Sequence, residues 1–158
     1  MGKGALENAV LIAGPTASGK SAAALRLARE TGGTVVNADS MQVYGVLDRL
    51  TARPPADDLA MAPHRLYGHV SPTIAHSTGA WLEDVRRLAG EGAFEHGPAI
   101  FVGGTGLYFK ALTRGLSEMP PVPEAVRRHW RQRLSQEGPA ALHDVLRRDD
   151  AAVAARLH

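Results

Sequence analysis

The 158-residue chain has no cysteine, which excludes disulfides and thiolate metal sites and agrees with a reducing compartment. Long apolar runs are missing too. The longest near the N-terminus, Ala9 to Ala13, is too short for a membrane span or a signal-peptide core. The expectation is therefore a cytoplasmic protein with no membrane partner. Lysine is scarce, with 3 residues (Lys3, Lys20 and Lys110) against 15 arginines. A coding bias that also favours Ala, Gly and Pro accounts for most of this, but it leaves Lys20 and Lys110 conspicuous. Excess charge of one sign is absent as well: the formal net charge is +2, so bulk charge announces no nucleic-acid partner. What remains is 44% hydrophobic and 22% charged, the composition of a globular chain long enough to bury a core.

The hydrophobic pattern predicts α/β organisation. Ala9–Ala13 is a short apolar run ending at glycine, as a buried parallel strand would be, and Lys20 to Arg29 is Ala- and Leu-rich helical sequence stopped by Thr31-Gly32-Gly33. Thr34 to Ala38 is a second strand, completing a βαβ unit with a right-handed crossover. Tyr44 to Pro63, with Pro54-Pro55, reads as mostly loop, and the alternation in His64 to Val70 predicts a third strand. Ser77 or Thr78 can cap a helix whose apolar face is Trp81, Leu82, Val85 and Leu88. Ala99 to Val102 is a further buried strand, followed by Gly103-Gly104-Thr105-Gly106 and a helix over Leu107–Thr113. The character changes after Gly115. Beyond the spacer Pro120-Pro121-Val122-Pro123, helices are predicted over Pro123–Gln136, Pro139–Arg148 and Ala151–Leu157. Residues 1–115 thus form an α/β core and 116–158 a helical region.

Gly14-Pro15-Thr16-Ala17-Ser18-Gly19-Lys20-Ser21 matches the phosphate-loop pattern at every specified position, between a strand and a helix as the motif requires. Its glycines let backbone N–H groups curl around phosphate oxygens, and the helix N-terminus adds a positive dipole. Lys20 would neutralise an outer phosphate and the Ser21 hydroxyl would ligate Mg²⁺. The loop reads a diphosphate shape and does not name the molecule that carries it.

Asp39 follows the second strand at the carboxyl edge of the sheet, where α/β ligands bind. Beside a Mg²⁺-diphosphate its carboxylate can take a proton from a nucleophile or order the metal's water; the plainer alternative is that it caps the next turn. Ser40, Met41 and Gln42 continue this edge, and Gln42 offers the donor and acceptor that suit an adenine edge. Thr105 can present a hydroxyl to a nucleotide or the diphosphate, unless GGTG is only a tight strand-to-helix turn. Arg127, Arg128, His129, Arg131 and Arg133 form a basic cluster suited to a phosphate backbone, or a solvated helix face. The other histidines (His64, His69, His76, His96, His143 and His158) show no metal-ligand spacing and read as structural or surface residues.

The ordered blocks GPTASGKS (Gly14–Ser21), NADSMQVY (Asn37–Tyr44), TARP (Thr51–Pro54) and GGTGLY (Gly103–Tyr108) make the chain resemble tRNA dimethylallyltransferases from about Ala9 onward. The phosphate loop alone is shared by many families; NADSMQVY and GGTGLY together are far more specific. The resemblance implies a P-loop NTPase-like parallel sheet flanked by helices, with the start of a helical tRNA-binding insertion. It implies transfer of a dimethylallyl group from dimethylallyl diphosphate to the exocyclic amine of an adenosine beside the tRNA anticodon, with Mg²⁺ as cofactor. Gly14, Pro15, Thr16, Ala17, Ser18, Gly19, Lys20 and Ser21 would hold the diphosphate, and Ser21 the metal. Asp39, Lys20 and Thr105 would be catalytic. Asp39, Ser40, Met41, Gln42, Thr105 and Arg127 would meet the tRNA anticodon arm.

Asp48-Arg49-Leu50-Thr51 stands where the family pattern has D-I-G-T, a tolerable variant. The family continues past His158 with the rest of its helical clamp and the last strand of the sheet, so the expectation is a truncated member lacking C-terminal strands, able to bind diphosphate and impaired in transfer. The rival readings are a P-loop small-molecule kinase, a cytokinin-forming adenylate prenyltransferase, and a non-catalytic diphosphate-binding remnant.

Overall fold

The computed structural model describes residues 6–46, 50–117, 120 and 122–157. In chain order the elements are β1 (Val10–Ala13), α1 (Lys20–Thr31), β2 (Thr34–Asn37), α2 (Ala56–Met61), β3 (His64–Arg65), α3 (Thr78–Gly90), β4 (Ala99–Gly103), α4 (Gly106–Arg114), α5 (Glu124–Asp149) and α6 (Ala151–Ala154). They fall into two compact units, Met1–Leu116 and Ser117–His158.

In the first unit the four strands form one sheet in the order β1-β4-β2-β3, and every pairing is parallel. The central pair is in register Val35↔Ile100 and Val36↔Phe101. Alternate residues of a strand face opposite sides, so this register builds two cores at once. Val36 and Phe101 pack with Trp81, Val85 and Tyr108 of α3 and α4, while Val35 and Ile100 pack with Ala24 and Ala28 of α1. A parallel sheet covered on both faces needs continuously apolar strands, and β2 and β4 are buried at every position. β1 was expected to be buried in the same way, but it lies at the edge of this sheet and its exposure alternates, with Leu11 39% exposed.

Trp81 is the anchor of the first core. Its ring stacks on Tyr108 at 4.2 Å and 14° and meets Phe101 edge-on at 6.1 Å. Its indole N–H, which burial would otherwise leave unsatisfied, donates to the Asn37 carbonyl at 2.9 Å. α3 begins as its sequence implies, with Ser77 Oγ accepting from the Ala80 N–H.

Two local expectations are amended for identifiable reasons. The stretch read as loop before Pro63 contains α2, because Pro55 precedes a helix as readily as it ends one and Asp57 and Asp58 favour the first turn. The strand expected over His64–Val70 pairs only at His64–Arg65 and again at an isolated Tyr44↔Val70 bridge. Leu66 and Gly68 have φ of 62° and 57°, which turn the chain out of the extended path between those points.

Among the described residues of the second unit the regular elements are the helices α5 and α6. α5 is broken at Gly138, whose φ of 78° and ψ of 169° no helix contains, and the next residue is Pro139. That break separates the two helices expected over 123–136 and 139–148. α6 is a single short turn capped by Asp150, whose carboxylate accepts from the Val153 N–H. Of the segments singled out by sequence, Asp48, Arg49, Pro121 and His158 lie outside the described residues. Among the described residues no helix is long and apolar enough to cross a membrane.

Candidate diphosphate and acceptor site

Because the strands are parallel, the loops after β1, β2 and β4 emerge at the same edge of the sheet. The first is the phosphate loop. It leaves β1 with the Gly14 N–H donating to the Gly103 carbonyl at 3.4 Å and turns through Ala17 (φ 64°) and Gly19 (φ 81°) into α1. The Lys20 ammonium donates to the Pro15 carbonyl at 2.9 Å, folding the side chain back across the loop it belongs to. Ser21 sits in the first turn of α1, so its hydroxyl lies beside the helix N-terminus and the loop amides.

The loop after β2 carries Asp39, and its geometry is set by Asn37, which sequence reasoning treated only as part of a motif. Asn37 is wholly buried. Its Oδ1 accepts from the Asp39 N–H at 2.9 Å, and its Nδ2 donates to the Asp39 carbonyl at 2.9 Å and to the Leu66 carbonyl at 3.0 Å. One carboxamide therefore grips the Asp39 peptide from both sides. The available signal was a polar side chain ending an otherwise apolar β-branched strand, which in a buried position must be bonded. Asp39 itself accepts the Met41 N–H at Oδ1, 2.9 Å away, so the turn-capping role is real. Its Oδ2 lies on the side of Gly104, so the cap engages only the other carboxylate oxygen.

The loop after β4 closes onto the loop after β2. A Cβ on Gly103 would lie 2.1 Å from the Ala38 carbonyl oxygen, so only glycine lets these backbones approach. Thr105 then ties the loops together: its N–H donates to the Ala38 carbonyl at 3.2 Å, its Oγ1 accepts the Ser40 N–H at 2.9 Å, and its hydroxyl donates to Ser40 Oγ at 3.3 Å. Gln42 is likewise engaged, its Nε2 donating to the Thr51 carbonyl at 2.7 Å.

These loops line two adjoining lobes. One, of about 360 Å³, is bounded by Thr16 through Ala22 with Asp39, Gln42, Thr51 and Ala52. The other, of about 520 Å³, is bounded by Gly14, Pro15 and Thr16 with Ser40, Met41, Gly104 and Thr105. Lys20 and Asp39 line both. A cation and a carboxylate thus stand where the lobes meet. Ser21 and Asp39, which both line the first lobe, carry oxygen donors of the hard kind that Mg²⁺ takes. Arg127 belongs to the second unit, exposed near the start of α5. Its neighbours Arg131 and Arg133 pair with Glu124 and Glu137 at 3.8 and 2.7 Å, and Arg133 covers the Trp130 ring at 5.1 Å. Lys110 is exposed on α4 and does not line either lobe.

The arrangement has known counterparts. The chain is 62% identical over 152 residues to a tRNA dimethylallyltransferase of Chelativorans sp. (strain BNC1), and 58% identical over 156 residues to one from Mesorhizobium japonicum. Those alignments cover 96% and 99% of this chain but 52% and 48% of the relatives, so the chain spans about half the length of the curated relatives it matches. Among solved structures it resembles the full-length tRNA isopentenylpyrophosphate transferase of Bacillus halodurans, with TM-score 0.67, 33% identity, 96% of this chain and 50% of that one. A eukaryotic dimethylallyltransferase acting on tRNA aligns with TM-score 0.79 at 25% identity, covering 95% of this chain and 37% of that one. The sheet and its flanking helices are therefore the P-loop NTPase-like fold of these enzymes. The Isopentenyl transferase family model matches residues 7–74. The IPP transferase model matches residues 42–158, and the chain belongs to that family.

Proposed function

We propose that this chain supplies the catalytic core of a tRNA dimethylallyltransferase, acting in the cytoplasm on the anticodon arm of tRNA. The observation that carries the reading is the placement of Lys20 and Asp39 at the junction of two lobes. The phosphate loop, Gly14 to Ser21, would hold the diphosphate of dimethylallyl diphosphate, with Ser21 as its protein ligand to Mg²⁺. Mg²⁺, when bound, supplies charge neutralisation to the diphosphate. The acceptor adenosine would enter the lobe of Ser40, Met41 and Thr105, with Gln42 at its border and Arg127 on the tRNA backbone.

The chemistry follows from these positions. The exocyclic nitrogen of adenine attacks the allylic carbon, a C–N bond forms, the C–O bond to diphosphate breaks, and the diphosphate leaves with the bonding pair. Lys20 and the loop amides stabilise the charge that collects on the leaving group, the largest catalytic contribution such a site can make. Asp39, held at its peptide by Asn37, accepts the proton released by the amine. No covalent enzyme intermediate is required.

The test has two parts. Calorimetry should find Mg²⁺-dependent binding of dimethylallyl diphosphate to the purified chain; absence of binding would overturn the assignment of the phosphate loop. In a chain extended to the length of its relatives, Asp39→Asn should keep diphosphate affinity and lose roughly 10²–10⁴-fold in formation of prenylated adenosine on tRNA. A rate within a few-fold of the parent would move the proton to another group.

A further inference from the structure

Three side chains that line neither lobe of the candidate site converge on one point. His69 follows the left-handed Gly68, His76 precedes the Ser77 cap of α3, and Asp84 lies two turns into α3. Asp84 Oδ2 is 3.0 Å from His69 Nε2 and 3.1 Å from His76 Nε2, and the two imidazoles meet edge to face with centroids 5.4 Å apart. One donor atom from each of the three lies within 4.8 Å of the others. The spacing in sequence gave no hint of this, because the convergence depends on the turn through Gly68 and on the segment after it folding back onto α3.

We propose that His69, His76 and Asp84 form a binding site for a divalent transition-metal ion of the zinc type. An ion about 2.0–2.1 Å from nitrogen and oxygen donors in tetrahedral geometry places those donors about 3.3 Å apart. The two observed separations need to open by only a few tenths of an ångström. Two imidazoles and one carboxylate supply three ligands and leave the fourth position for water. This donor set favours Zn²⁺, Co²⁺ or Ni²⁺ over Mg²⁺, which demands oxygen ligands. Arg87 donates to Asp84 Oδ1 at 2.8 Å and fixes the carboxylate so that Oδ2 faces the histidines.

His76 sets the strength of the site. Its side chain is 8% exposed and its Nδ1 is buried without a partner. With the ion on Nε2, the imidazole proton sits on Nδ1, a buried donor with no acceptor. That penalty weakens binding by about 10–100-fold relative to a site with a complete outer shell, which makes occupancy reversible. Bound metal would clamp the segment from Gly68 to Ser77 onto α3. That segment also braces the cleft, since the Gly68 and Val70 N–H groups donate to the Gln42 and Val43 carbonyls at 2.9 and 3.0 Å. The inference does not depend on the diphosphate reading.

Titration of the purified chain with Co²⁺ and Zn²⁺ decides it. One equivalent of Co²⁺ should give visible ligand-field bands of tetrahedral intensity, displaced by Zn²⁺, and Zn²⁺ at about 100 times its Kd should raise Tm by about 5 °C or more. His69→Gln alters an exposed ring and leaves the fold intact, so it should abolish the bands and weaken Zn²⁺ binding by at least about 10-fold. Asp84→Asn should do the same. Failure of the parent chain to bind one equivalent of Zn²⁺ overturns the proposal. So does binding that His69→Gln leaves unchanged, which would place the ion on other histidines.

Discussion

The two compact units build helices from similar residues by different means. In Met1–Leu116, helices α1, α3 and α4 each bury part of one face against the sheet, and 0–7% exposure at Trp81, Leu82, Val85 and Leu88 records what α3 gains. In Ser117–His158, α5 runs 26 residues without one buried residue, and Val126, Trp130 and Leu134 are 40–46% exposed. Its order is local: Glu124 in the first turn, Arg147 and Arg148 in the last, and the Arg133–Glu137 pair at i, i+4. One region is held by long-range packing against a sheet; the other leans more on propensity and caps, with α6 packed back on α5 through the buried Ala154, whose carbonyl lies 3.2 Å from His143 Nε2. The same kind of substitution should therefore have different consequences in the two.

Glycine replacement gives the largest contrast. In Gly103→Ala the new Cβ meets the Ala38 carbonyl oxygen at 2.1 Å and the Asp39 nitrogen at 2.7 Å, and neither backbone atom can move without opening β2 from β4. We expect a loss of about 3 kcal/mol or more, a large share of the stability of a domain this size, read as a lower urea midpoint. Gly138→Ala meets nothing within 4 Å. It is strained only by its positive φ, a cost of about 1–3 kcal/mol that should appear as faster amide exchange around the break in α5. Equal effects on the urea midpoint would end the distinction between the regions.

Asn37→Ala comes next. It leaves the Asp39 N–H and the Asp39 and Leu66 carbonyls short of a partner in a buried place. Each such loss carries a penalty of about 1–3 kcal/mol, partly relieved by relaxation, so a net destabilisation of about 2–4 kcal/mol is expected from chemical denaturation. Asn37→Asp should not rescue it, because a carboxylate cannot donate to the two carbonyls. Full rescue by aspartate would show that only the contact to the Asp39 N–H matters.

What could be read in the sequence divides along the same physical line. The βαβ unit, the Ser77 cap, the apolar face of α3 and the phosphate loop rest on local signals of period, cap and glycine spacing, and all appear where those signals put them. The edge position of β1, the early end of β3 at Leu66 and the grip of Asn37 on Asp39 depend on which segments meet, and no local pattern encodes that. The convergence of His69, His76 and Asp84 is of the same kind. α2 was missed for another reason, since proline next to a helix start reads like proline in a loop.

Lys20→Ala probes the first region at its surface instead of its core. The ammonium has the Pro15 carbonyl as its partner, so the fold should hold and the denaturation midpoint should stay near that of the parent. Pyrophosphate binding should weaken by about 10–150-fold, the worth of one hydrogen bond to a charged group. Calorimetry at fixed ionic strength measures it, and unchanged affinity would remove Lys20 from the site.

The last effect concerns pH, and its tyrosine part comes from the first region. The three tyrosines, Tyr44, Tyr67 and Tyr108, all precede residue 116. Burial pushes the Tyr108 phenol up to about 12 from its ordinary 10.0, helped by the nearby Tyr44, Asp39 and Asp84. Burial also raises Tyr67, with a smaller contribution from the Asp39 charge. A folded-state pKa above the unfolded one means that the native protein holds its proton where the unfolded chain has lost it. The stabilisation is therefore complete below about pH 10 and disappears as pH rises towards 12. The stability curve should slope downward across that window, and Tyr108→Phe, which keeps the stack on Trp81 and removes the ionisation, should flatten it. Tyr67→Phe should flatten it further. If the slope survived both substitutions, the alkaline loss would have to come from lysine or arginine pairs, and the second region, with its Arg133–Glu137 pair, would become a contributor.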